Sequence, residues 1–103
     1  MIDLSKVVGF DWDDGNARKN ERHGVSSAEV EQVFFNAPLL LLDDPRHSDA
    51  ELRFHALGKT LEDRRLHLSI TLRKESTLIR VISARDISRK EKAFYDQAFK
   101  SHP

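Results

Sequence analysis

Leu66-His67-Leu68-Ser69-Ile70-Thr71-Leu72-Arg73 alternates apolar and polar side chains without a break. Successive side chains of a strand point to opposite faces, so this run predicts a strand with one buried and one wet face. Its neighbours carry the same message. Leu52–Leu57 alternates too, with Phe54 and Ala56 on one face and Arg53 and His55 on the other, while Leu78–Ala84 is a strand with Arg80 as its one charged member. Gly58–Arg64 reads as a polar connector, and Lys74-Glu75-Ser76 is the length of a hairpin turn.

Upstream, Val25-Ser26-Ser27-Ala28-Glu29-Val30 is a helix start. Ser26 is an N-cap, Glu29 completes a capping box, and Val25 with Val30 forms a hydrophobic staple. Val30, Val33, Phe34 and Ala37 continue at helical spacing to Pro38. A second capping box, Ser88 with Glu91, opens a last helix, in which Phe94, Ala98, Tyr95 and Phe99 form an apolar stripe able to pack on the sheet. Val7–Phe10 is a candidate first strand. Asp14–His23 reads as a short helix ended by Gly24, and residues 101–103 as a frayed tail. Leu39–Leu42 is a strand that is either core or an edge open to a partner segment. The core reading is preferred, because the helix over Ser27–Asn36 needs an apolar surface to cover. The sum is one α+β domain of 103 residues.

Composition excludes several classes. There are no cysteines, so disulfides and thiolate metal sites are out, and no His-Glu-x-x-His pair supports another metal site. The four glycines are isolated, so no phosphate loop exists. No apolar run approaches the ~20 residues of a membrane span, and Met1–Lys6 lacks the features of a signal peptide, which points to the cytosol.

The zero net charge hides an asymmetry: ten acidic against four basic residues over Asp11–Glu51, and seven basic against three acidic over Arg73–Lys92. The bland reading is two solvated faces that attract each other. The functional reading starts from the strand periodicity. With Phe54, Ala56, Leu66, Leu68, Ile70 and Leu72 turned to the core, the opposite face carries Arg53, His55, His67, Ser69, Thr71 and Arg73, joined by Arg80. It then holds three arginines, two histidines and no carboxylate, a bias suited to an RNA backbone. Histidine exchanges protons near neutral pH, and arginine presents a permanent fork matching a phosphate. RNA cleavage by these groups needs no metal and no cofactor.

Several segments resemble the BrnT family of toxins: Phe10-Asp11-Trp12-Asp13; Asn20-x-x-His23-Gly24-Val25-Ser26; Asp44-Pro45-Arg46-His47-Ser48; Glu51-x-Arg53-Phe54-x-Ala56-Leu57-Gly58; Leu72-Arg73; Ile79–Arg85; and Ser88-Arg89-Lys90-Glu91 with Tyr95. The resemblance runs from about Gly9 to Tyr95. It implies a RelE-like fold, a small antiparallel sheet with helices packed on one side. It implies a bacterial type II toxin that blocks translation by cleaving RNA. The implied partner is a BrnA-like ribbon-helix-helix antitoxin, through which the pair reaches operator DNA. Arg73 and Arg80 are the first choices for the scissile phosphate, with Arg85 and Arg89 next. His55 or His67 exchanges protons, and the pattern does not choose between them. Arg53, Thr71 and Tyr95 complete the expected substrate contacts, although Tyr95 also reads as a packing residue, and Trp12, Asn20 and His23 as structural. Where the family carries a lysine after its Trp-Asp pair, this chain has Asn16. The competing function is a non-catalytic module of the same fold acting through its antitoxin.

Overall fold

The alternating run lies in the central strand of a five-stranded sheet. The computed structural model describes residues 4–13, 23–47 and 51–100. In chain order the elements are β1 (Gly9–Phe10), α1 (Ser27–Phe35), β2 (Leu40–Asp43), a short 3-10 turn (Pro45–His47), β3 (Arg53–Lys59), β4 (Arg65–Arg73), β5 (Leu78–Asp86) and α2 (Arg89–Ala98). The strand order is β1-β5-β4-β3-β2.

Both capping boxes form. Ser26 Oγ accepts from the Glu29 N–H while Glu29 accepts from the Ser26 N–H, and Ser88 and Glu91 repeat the arrangement. Val30 and Val33 turn the buried face of α1 onto β3 and β4, where Phe54, Ala56, Leu66, Leu68, Ile70, Val81 and Ala84 meet them. Leu66, Leu68 and Ile70 are fully buried, as the alternation requires.

Four expectations change. The sheet is mixed: β2 through β5 are antiparallel, but β1 runs parallel to β5, pairing Gly9 with Leu78 and Phe10 with Ile79. Leu39–Leu42 is not a fully buried strand. As β2 it forms the rim of the sheet with its leucines half-buried, because α1 covers β3 and β4 instead. Gly58 belongs to β3, not to a connector. A Cβ there would lie 2.6 Å from Val33 Cγ1, so its lack of a side chain lets α1 approach the sheet. The helices do not share one side: α1 lies over the Ala56–Gly58 core face, while α2 lies over the face that carries His67 and Arg85. One described helix precedes β2. The helix expected over Asp14–His23 falls mostly outside the described residues, as do Asn16, Asn20 and the tail over 101–103. Gly24 does adopt the left-handed backbone, at φ +70°.

Polar ties complete the frame. Arg64 donates to the Gly24 carbonyl and Glu29, and forks onto both oxygens of Asp86, joining the start of α1 to the β3–β4 turn and the end of β5. Asn36 donates to the Lys59 and Thr60 carbonyls. Phe10, Trp12, Phe34 and Phe35 cluster between β1 and α1, and Trp12 Nε1 donates to Glu31.

Candidate active site

Register fixes which side chains share the sheet face opposite α1, which is not simply solvated as the alternation suggests: Leu57, His67 and Thr71 on it are buried. Arg53, Thr71 and Arg80 stand in one row across β3, β4 and β5. His55, Ser69 and Ser83 form the next, then Leu57, His67 and Arg85. Simple alternation along β5 would set Arg80 and Arg85 on opposite faces. An irregularity opposite Ser69 and Ile70 inserts Ile82, so that Val81 pairs with Ile70 and Ser83 with Ser69. The extra residue resets the parity and brings both arginines to the same face.

The row around His67 is the densest. The rings of His55 and His67 lie 4.8 Å apart. His55 Nε2 is 3.1 Å from a carboxylate oxygen of the buried Asp44. His67 Nε2 faces Glu91 at 3.7 Å, and Arg85 donates to both oxygens of Glu91 at 2.8 Å each. The Nδ1 atoms of both histidines are buried with no hydrogen-bond partner. A groove of about 840 Å³ opens over this cluster between the sheet and α2.

Electrostatics divide these groups. Burial, reinforced by Arg85 and His55, holds His67 below the ordinary histidine value against the opposing pull of Glu91. Arg85 and the Ser88 N–H outweigh partial burial and hold Glu91 down at about 2. Glu91 in turn raises Arg85, fixing it as a cation.

The remaining expected residues lie elsewhere. Thr71 and Arg80 stand four residues along β4 from His67, about 13 Å away. The Thr71 hydroxyl is buried and donates to the Leu52 carbonyl. Arg80 is held by Asp11 at 3.3 Å and Asp13 at 2.7 Å. Arg53 is half-buried in that row. Arg73 lies further out, 3.2 Å from Glu51. Arg89 is exposed at the first turn of α2, and Tyr95 is buried, its hydroxyl donating to the Pro38 carbonyl. The structure therefore brings His55, His67 and Arg85 together, and sets Arg53, Thr71, Arg73 and Arg80 apart from them.

The carboxylate-free face is corrected. Its own strands supply no acid, but Asp11, Asp13, Asp44 and Glu51 from the acidic segment, and Glu91 from α2, fold onto it and pair with its cations. The charge asymmetry thus acts within the molecule, as the blander reading held. The sequence marks neither Asp44 nor Glu91 as part of this cluster, although both sit in the stretches that carry the family resemblance: Asp44 reads as loop and Glu91 as a cap. Among the described residues, no group of three or more His, Cys, Asp or Glu side chains is placed to hold a metal ion.

A five-stranded mixed sheet with a helix on each face and a groove that gathers two histidines, an arginine and a glutamate defines an α+β protein. A family model described as "Ribonuclease toxin, BrnT, of type II toxin-antitoxin system" matches residues 12–91, and the chain belongs to that family. Membership in a toxin–antitoxin family implies an antitoxin partner. No curated protein matches the chain. No described helix is long and apolar enough to cross a membrane.

Proposed function

We propose that this chain is a metal-independent endoribonuclease that halts translation by cutting RNA in the cytoplasm. The observation that carries the reading is the meeting of His55, His67 and Arg85 in one open groove. His67, kept neutral by burial, accepts the proton of a ribose 2′-hydroxyl. The freed oxygen attacks the adjacent phosphorus, and the bond to the 5′-oxygen breaks. His55, held by Asp44, delivers a proton to that leaving oxygen. Arg85 stabilises the charge that builds on the phosphate. The products are a 2′,3′-cyclic phosphate and a 5′-hydroxyl. Arg53, Arg73, Arg80 and Arg89 carry flanking phosphates of a longer strand, with Thr71 and Tyr95 holding the frame around them. The fold is read as a RelE-like variant, neutralised by a BrnA-like ribbon-helix-helix antitoxin that also carries the pair to operator DNA.

Expression tests the reading. Induction of the chain alone is expected to arrest growth, and co-expression of a ribbon-helix-helix antitoxin to restore it. Harmless expression of folded protein contradicts it.

One observation favours a non-catalytic binding module instead: the site cations Arg73, Arg80, Arg85, His55 and His67 each already face a carboxylate. On that reading the complex still forms, but RNA stays intact.

A further inference from the structure

The inner wall of the groove is apolar, which a phosphate site alone does not need. Leu42 and Leu57 line it from the sheet, and Ala93 and Phe94 from α2. The apolar stripe expected on this helix divides: Tyr95 is buried, while Phe94 is turned into the groove and left 53% exposed. Lys90, Phe94 and Gln97 all line the groove, and they stand at i, i+4 and i+7, one above another on a single face of α2. Along about 10 Å of helix that face offers a cation, an aromatic plane and an amide with both donor and acceptor.

We propose that the groove takes a single-stranded RNA, with one unpaired base stacked on Phe94, its edge at Gln97, and its backbone at Lys90 and Arg85. The proposal rests on the ribonuclease reading and adds a substrate class to it. Stacking tolerates any base, because every base has a π face, and Gln97 can discriminate among edges. A duplex cannot use the groove, since its bases are stacked on both sides and paired along the edge that Gln97 would read. Charge favours RNA over an apolar protein segment: Arg85 and Lys90 outnumber Glu91, the one carboxylate among the lining residues, and Lys90 stands beside the apolar wall, suiting a ligand that alternates anions with flat rings.

The test uses an uncleavable 2′-O-methyl oligonucleotide carrying 2-aminopurine, titrated into the purified protein. Wild type and Phe94→Tyr are expected to bind it and quench its fluorescence. Phe94→Leu, which keeps an apolar side chain and the helix but removes the ring, should bind about ten-fold more weakly without the quench. The same sequence as a duplex should not quench. Equal binding and quenching by Phe94→Leu, or equal response to the duplex, overturns the proposal. So does Phe94→Leu losing its co-expressed antitoxin while binding the oligonucleotide normally, which assigns the groove to protein. Cleavage of unmodified RNA separates the two claims: equal KM for all three proteins sinks the base site and leaves the ribonuclease, whereas the expected binding pattern with intact RNA does the reverse.

Discussion

Arg85 donates two hydrogen bonds of 2.8 Å to Glu91, six residues further along the chain. The same glutamate caps the first turn of α2. One carboxylate therefore starts a helix, fixes an arginine and stands 3.7 Å from His67. It also occupies the fork that a substrate phosphate would need.

Glu91→Gln separates these roles. The amide oxygen can still accept from the Ser88 N–H, so the helix persists. Loss of a partly exposed ion pair should cost less than about 1 kcal/mol in thermal unfolding. The released Arg85 should bind an uncleavable RNA several-fold more tightly, with a steeper salt dependence. Weaker binding would show that Glu91 itself assists the substrate.

Acid should destabilise the fold in two windows. His67 has a lowered folded-state value, so the unfolded chain binds its proton more readily. Stability is then complete above the ordinary value of 6.5 and falls as pH drops below it. Glu91 adds stability above 4.5 that is lost as pH falls toward about 2. Denaturant titrations from pH 8 to pH 3 should show both declines, and His67→Gln should remove the upper one alone. An unchanged upper decline in that variant contradicts the assignment.

Gly58→Ala should destabilise without touching the groove. Its new methyl would meet Val33 Cγ1 at 2.6 Å. Overpacking of this kind costs roughly 1–3 kcal/mol. Adding Val33→Ala should recover part of that cost, and a double variant no better than the sum of the two singles would argue against a direct clash.

What could be read from the chain follows from how far each signal reaches. The alternation of Leu66–Arg73 is local, and so are the capping boxes at Ser26 and Ser88; each fixed its element within a residue or so. The pairing of β1 with β5 was not legible, because a two-residue strand has no period. Arg80 was assigned to the right face by counting, but Arg85 reaches it only through the extra Ile82, which nothing in Leu78–Ala84 marks. The partners of the cations were hidden by distance along the chain: Asp11 lies 69 positions from Arg80. Asp44 looked like an ordinary loop acid beside Pro45, and only the fold reveals that it is buried against His55. The family resemblance puts Arg73 and Arg80 before Arg85, but only Arg85 of the three lines the groove beside His55 and His67.

The most direct test is cleavage of RNA by the purified chain, freed of antitoxin, in the presence of a metal chelator. Wild type should cut single-stranded RNA to fragments with 5′-hydroxyl ends. His67→Ala should be slower by about 100-fold or more, as loss of a general base requires. Arg85→Ala should be similarly impaired, while Arg73→Ala should lose much less. Intact RNA with folded wild-type protein, or undiminished cleavage by His67→Ala and Arg85→Ala, would contradict the account.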